Sequence, residues 1–199
     1  MGRGLPIYRG TKVTFSQGAV FTANYTGSNT AVRTNFAAFA IETGVEIDGL
    51  RLTTSGIRNC IHDDFDNTVS GETIIKNCSF TSDTNIIAGG LGIHDILIIK
   101  NCYFDRINDT YEFDFSYHNN STAGAQSVVI IKDNYMRHGV SIRWYGASTL
   151  LTDVFIFNNN MAYDVDFHAE NASATIENIN LKSWNNLIRT IDGKELETL

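Results

Sequence analysis

Apolar residues along this chain alternate with period two over short runs, and the runs recur as one eight-residue phrase. Its copies are VEIDGLRL (45–52), TIIKNCSF (73–80), LIIKNCYF (97–104), VIIKDNYM (129–136), VFIFNNNM (154–161) and ATIENINL (174–181). Aligned without a gap, the third place is always isoleucine: Ile47, Ile75, Ile99, Ile131, Ile156 and Ile176. The fifth place is Gly49, Asn77, Asn101, Asp133, Asn158 and Asn178; the eighth is Leu52, Phe80, Phe104, Met136, Met161 and Leu181. Recurrence at roughly 20–30 residues marks a solenoid rather than a single-core globule.

A helical solenoid needs apolar residues at 3.6-residue spacing in every unit, and the alternation here is two. Leucine-rich repeats need a Leu-x-x-Leu-x-Leu core and a helix-length stretch, and neither is present. The pattern predicts an all-β chain: a right-handed, single-stranded parallel β-helix of about seven coils, with equivalent strands about 4.8 Å apart. Alternate side chains then stack inside and outside the coil. A turn between sheets favours Gly or Asn, which tolerate left-handed backbone angles, and stacked Asn side chains can hydrogen-bond as a ladder. The repeat resembles the pectate-lyase-like β-helix superfamily, whose coils often read Ile-x-Ile-x-Asn-Cys-x-Phe. The resemblance covers roughly 45–192 and implies the fold. It does not imply one activity, because that architecture hosts lyases, hydrolases and non-enzymatic spikes.

Three regions are expected: an opening coil and loop over 1–43, β-helix repeats over 44–193 and a short charged tail over 194–199. Lys12–Phe15 and Gly18–Phe21 read as two strands of the opening coil, and Phe36–Ile41 as the return to the core. Members of the superfamily usually begin with a capping helix, and none is visible before Tyr8. An uncapped end exposes strand edges, so the chain is expected to be a piece of a longer protein or to have that end covered by a partner. A second strand is expected after each repeat: 56–64, 84–90, 111–117, 139–145, 164–170 and 186–192.

Composition narrows the classes. With 199 residues, 16 Gly and one Pro, the chain is not of disordered type, and 12 Phe supply core stacks. A net charge of −7 without any Lys/Arg-rich run disfavours nucleic acid. No apolar stretch reaches the length of a membrane span, and the N-terminus lacks signal-peptide form. Of three cysteines, Cys78 and Cys102 share the sixth place of consecutive repeats and are expected as a buried thiol stack, not a disulfide. His62 and His94 read as loop or corner residues.

Candidate chemistry comes from the outward residues of the second strands. Stacking would bring Glu112 and Asp114 beside Arg143, and Arg143 beside Asp166 and His168. Carboxylates two coils apart, about 10 Å, approach the roughly 6.5–9.5 Å spacing of inverting glycoside hydrolysis. Arg143 could hold a sugar carboxylate in a two-pronged contact or act as a lyase base. Asp114, Arg143, Asp166 and His168 are therefore the catalytic candidates, with Glu112, Tyr117, Tyr145 and Glu170 as substrate contacts. No protein metal site is expected, although such carboxylates can hold Ca²⁺. The competing reading is a solvated face of mutually paired charges. Arg137-His138-Gly139-Val140-Ser141-Ile142, followed by Gly146, resembles the Gly-His-Gly-x-Ser-Ile-Gly segment of polygalacturonases. That family's Asn-Thr-Asp is absent, and the only Asp-Asp, Asp63-Asp64, lies three coils away.

Three functions fit. The first is a module of a phage tail spike, tail fibre or similar virion appendage that engages a bacterial surface polysaccharide, with a homotrimer or other chains of a larger assembly as partners. The second is a secreted or periplasmic polysaccharide lyase or glycoside hydrolase acting on an acidic polysaccharide. The third is a structural spacer.

Overall fold

The computed structural model describes residues 4–25, 37–63, 71–89, 96–107, 115–119, 127–144, 152–163, 165–169, 179–188, 190–191 and 194–195. Three seven-stranded parallel sheets make up nearly all of it, and each sheet takes every third strand of the chain. The first sheet stacks Leu5–Ile7, Ala37–Ile41, Asn59–Asp63, Asn85–Gly89, Phe115–Asn119, Val140–Trp144 and Asp166–Ala169. The second stacks Lys12–Thr14, Glu46–Asp48, Glu72–Lys76, Ile96–Lys100, Ser127–Lys132, Thr152–Phe157 and Ile179–Trp184. The third stacks Phe21–Asn24, Arg51–Ser55, Ser79–Ser82, Tyr103–Arg106, Tyr135–Met136, Asn160–Met161 and Leu187–Ile188. Among the described residues there is no helix, and the arrangement is compatible with a solenoid. Near the C-terminus, Thr190–Ile191 pairs antiparallel with Lys194–Glu195.

The repeated phrase supplies the second and third sheets, and its third and eighth places run down their inner faces. In the second sheet the register aligns Val13, Ile47, Ile75, Ile99, Ile131 and Ile156. In the third it aligns Phe21, Leu52, Phe80, Phe104, Met136, Met161 and Ile188. In the first sheet the register aligns Leu5, Phe39, Ile61, Ile87, Phe115 and Val140, of which Phe39, Ile61, Ile87 and Val140 are buried in the core. Ile47, Phe80, Ile99, Phe104, Ile131 and Ile156 are all fully buried. Each such side chain removes enough apolar surface from water to contribute roughly 1.5–3 kcal/mol. The columns also continue one another, so the core is a rod rather than a centre.

The last copy of the phrase corrects the sequence expectation. Ile156 pairs with Ser183, not with Ile176, and Met161 pairs with Ile188. The corner residue there is Asn185, at a φ of 54°; Ile176 and Asn178 lie outside the described residues. The physical reason is in the pair that follows the strand. Asn185-Asn186 continues the hydrogen bonding of Asn158-Asn159, whereas Asn178-Ile179 has no amide at the second position.

The outer faces differ between sheets. Burial alternates residue by residue along Glu72–Lys76 and Ile96–Lys100, as a sheet with one wet face requires. The outer side of the second sheet still carries an apolar column, with Ile74, Ile98, Ile130 and Phe155 in register and half-buried. Two strands of the first sheet are covered on both sides: Phe39, Ala40 and Ile41 are buried in succession, as are Asn59, Cys60, Ile61 and His62. His62, expected at a loop or corner, is thus a buried strand residue, in register with Ala40 and Ala88. Inside the rod, the register aligns Thr54, Ser82 and Arg106, all buried, and Thr54 Oγ1 donates to Ser82 Oγ at 2.7 Å.

Candidate functional site

The groove expected on the first sheet is only partly brought together. Arg143 and His168 are register partners, and Ser141 is the partner of Asp166. On its other side Arg143 faces His118, where Asp114 and Glu112 were expected. The strand spans Phe115–Asn119, and its register sets Phe115 against Ile87 and Val140, which makes His118, four residues after Asp114, the partner of Arg143. Tyr117 lies in the same strand, opposite Ile142. Glu112, Asp114, Tyr145 and Glu170 lie outside the described residues.

Asp166 is half-buried, and its Oδ2 accepts a hydrogen bond from Ser141 Oγ at 3.2 Å. Ser141 itself is fully buried, so the side of the sheet that alternation assigns to solvent is covered at this point. His138 is buried as well, its ring stacked on Tyr163 with centroids 6.4 Å apart. The His-Gly-Val-Ser segment is therefore packed into the body of the fold. Among the described residues, no three of His, Cys, Asp and Glu gather as metal ligands would.

A different surface assembles at the corner between the second and third sheets. The corner residues hold left-handed angles, with φ of 55° at Asn77, 53° at Asn101, 57° at Asp133 and 56° at Asn158. Their exposed amides are linked along the stack: Asn158 Nδ2 donates to Asp133 Oδ1 at 3.2 Å, and Asn185 Nδ2 donates to Asn158 Oδ1 at 2.6 Å. Where glycine occupies the corner, Asn77 Nδ2 reaches Asp48 Oδ1 instead, at 2.8 Å.

Just inside runs a second ladder, from the sixth place of the phrase. Asn134, Asn159 and Asn186 donate through Nδ2 to the carbonyls of Ile99, Ile131 and Ile156, at 3.1, 3.0 and 3.0 Å. Cys78 and Cys102 hold the same place earlier in the chain, and their thiols point to the carbonyls of Ile47 and Ile75 at 3.9 and 3.8 Å. All three cysteines are free and buried, as expected for the Cys78–Cys102 stack. Burial pushes the Cys102 thiol well above its ordinary range.

The seventh place of the phrase points outward, and here it becomes a surface. Tyr103 and Tyr135 occupy it in successive strands, with rings stacked at 5.0 Å and 9° apart. Asn160 and Leu187 follow in register. Because Asn160 and Leu187 are smaller than the tyrosines, the surface drops beyond Tyr135 into an open concavity of about 560 Å³. Its rim is the corner row Asp133, Asn158 and Asn185, its back is Asn134 and Asn159, and its outer side is Tyr135, Asn160 and Leu187. On the far side of the corner, Trp184 stacks on Phe157 at 4.5 Å and is 48% exposed.

The charges near this surface are paired. Lys132 Nζ lies 3.7 Å from Asp133 Oδ2, and Arg137 Nη1 lies 3.2 Å from Asp105 Oδ1. Asn160 Oδ1 is buried, and no donor among the described residues reaches it. A surface of amides, aromatic rings and little net charge suits a ligand with both hydroxyls and apolar ring faces. The missed signal was the seventh column itself: Arg51, Ser79, Tyr103, Tyr135 and Asn160, which places two tyrosines in consecutive units.

Comparison of the chain with protein-family models, with curated proteins and with solved structures finds no match.

Proposed function

We propose that the chain is a right-handed parallel β-helix of the pectate-lyase-like kind, and that it is the polysaccharide-recognising module of a phage tail spike, tail fibre or similar virion appendage. The observation that carries glycan recognition is the Tyr103–Tyr135 stack ending at an open, amide-lined concavity. Aromatic faces offer apolar contact to the C–H face of a sugar ring, and the amide row offers donors and acceptors to its hydroxyls. The ligand is a bacterial surface glycan. Partner chains, as a homotrimer or within a larger assembly, would cover the apolar outer column Ile74, Ile98, Ile130 and Phe155 on the second sheet.

The experiment is retention of the purified chain on immobilised capsular and lipopolysaccharide glycans. Saturable binding that competes with free glycan supports recognition. Failure to bind any of them leaves the structural spacer as the better reading.

A second reading has one observation in its favour, the register pairing of Arg143 with His168 two residues beyond Asp166. On that reading the chain is a polysaccharide lyase or glycoside hydrolase acting on an acidic polysaccharide. Release of reducing or unsaturated ends, abolished by Asp166→Ala in a folded variant, would establish it.

A further inference from the structure

We infer that the concavity beside Tyr135 takes an uncharged, hydroxyl-rich pyranose unit and discriminates against the matching uronate. The inference rests on the glycan-recognition reading above and narrows its substrate class.

Three features select the ligand. The Tyr135 ring is stacked on Tyr103 on one side and borders the concavity on the other, so it presents an apolar wall held in place by its neighbour. Leu187, 58% exposed, adds apolar surface at the opposite end of the same outward column. A flat ring with one C–H-rich face fits between them.

The second feature is Asn160. Its side-chain oxygen is buried and met by no donor among the described residues. An acceptor left in that state is costly, and a ligand hydroxyl that donates to it removes the cost. Asn160 lines the concavity, and the terminal torsion of asparagine is soft, so a ligand hydroxyl that draws the oxygen outward gives it the missing partner. The ligand must therefore carry a donor there, which a hydroxyl supplies and a carboxylate does not.

The third feature is charge. The lining contains one carboxylate, Asp133, five asparagines and no cation. Lys132, next to Asp133 in the chain, is paired with it at 3.7 Å and sits 5.7 Å from the centroid of the Phe157 ring. With Asp133 already paired and no cation in the lining, nothing there would offset the cost of stripping water from a uronate carboxylate.

The test is a titration of the full chain with short neutral oligomers of glucose, galactose and mannose, and with oligogalacturonate and oligoglucuronate. Calorimetry, or tyrosine chemical shifts, reads the binding. The expected result is a neutral oligomer bound at least about five-fold more tightly than its uronate counterpart. Tyr135→Ala should weaken that binding about tenfold or more, while Tyr135→Phe, which keeps the stacked ring, should stay close to the parent. Tyr135→Phe guards against a variant that merely misfolds.

Uronates bound as tightly as neutral oligomers, or more tightly, would overturn the discrimination while leaving glycan recognition standing. Neutral binding that survives in a folded Tyr135→Ala chain would place the ligand elsewhere and overturn the inference as well. Failure of every oligomer would remove the glycan reading and this inference with it.

Discussion

Inside the corner, Asn159 Oδ1 accepts two hydrogen bonds from Asn134, one from its backbone N–H at 3.1 Å and one from its Nδ2 at 3.0 Å. Asn159 Nδ2 in turn donates to Ile131 O at 3.0 Å, Phe157 O at 3.1 Å and Asn186 Oδ1 at 3.1 Å. One buried amide thus satisfies groups in three successive units. Asn159→Ala takes the amide partner from all of these groups at once, at a cost of about 2–4 kcal/mol. Asn159→Cys should cost less, because Cys102 shows that a thiol in this column reaches the same two carbonyl positions, at 3.2 Å for Lys100 O and 3.8 Å for Ile75 O. Urea unfolding of the two variants checks the order. Equal losses would mean the amide's second role, accepting from Asn134 of the preceding unit, dominates.

The exposed ladder outside it works by a different cause. Asn101 Nδ2 lies 3.4 Å from Asn77 Oδ1, a long contact in water, while the backbone at Asn101 has a φ of 53°. Left-handed angles cost an ordinary side chain about 1–2 kcal/mol, and a β-branched one meets the full penalty. Asn101→Val should therefore destabilise by about 1–2 kcal/mol, whereas Asn101→Gly should lie within about 0.5 kcal/mol of the parent. If the hydrogen-bonded ladder were the main contribution, the glycine variant would fall as far as the valine one in thermal melts.

These two ladders show how much of the fold was legible. An Asn or Gly at the fifth place announces the corner, because few residues accept that backbone. Ile and Phe at the third and eighth places announce two of the three inner columns, because alternation leaves no other face for them. The final unit was misread because ATIENINL matches the isoleucine column, while the register is decided by the amide pair, one exposed and one half-buried, that only Asn185-Asn186 continues. The site was less legible still. Alternation assigns Ser141 and Asp166 to an outer face, but cannot report that this face is covered. The concavity arises from a difference in side-chain size between Tyr135 and its neighbours Asn160 and Leu187, which appears only when the units are stacked.

The thiol of Cys60 gives a stability effect with a definite pH window. Burial pushes it from 9.0 up to about 11, although Thr54, whose Oγ1 lies 3.2 Å from the sulfur, opposes the shift. Folding favours the neutral thiol, so as pH rises the unfolded chain loses this proton first. The associated stability is whole below about pH 9 and is lost progressively toward pH 11, on the order of 3 kcal/mol in all. Tyrosines and lysines titrate in the same range, so the informative quantity is the difference between parent and Cys60→Ala. Denaturation midpoints between pH 8 and pH 11 should converge as the parent loses its advantage. Parallel curves would show that the thiol is not sealed from solvent.

Neighbours in one strand separate the inside of the rod from its outside. Ile99 is fully buried between Ile75 and Ile131, and Ile98 is half-buried between Ile74 and Ile130 on the outer face. Ile99→Ala opens a cavity that flanking units cannot close, because their strands are pinned at fixed spacing, and should cost about 3–4 kcal/mol. Ile98→Ala removes a side chain that already borders water and should cost about 1 kcal/mol or less in the isolated chain. The comparison also reads association. If other chains cover this column, the loss at Ile98 grows with protein concentration while the loss at Ile99 does not, since only the former is linked to assembly. Unfolding measured across a range of chain concentrations distinguishes the two. A loss at Ile98 that is small at every concentration would leave the outer face of the second sheet open to solvent and remove the support it lends to a multichain spike.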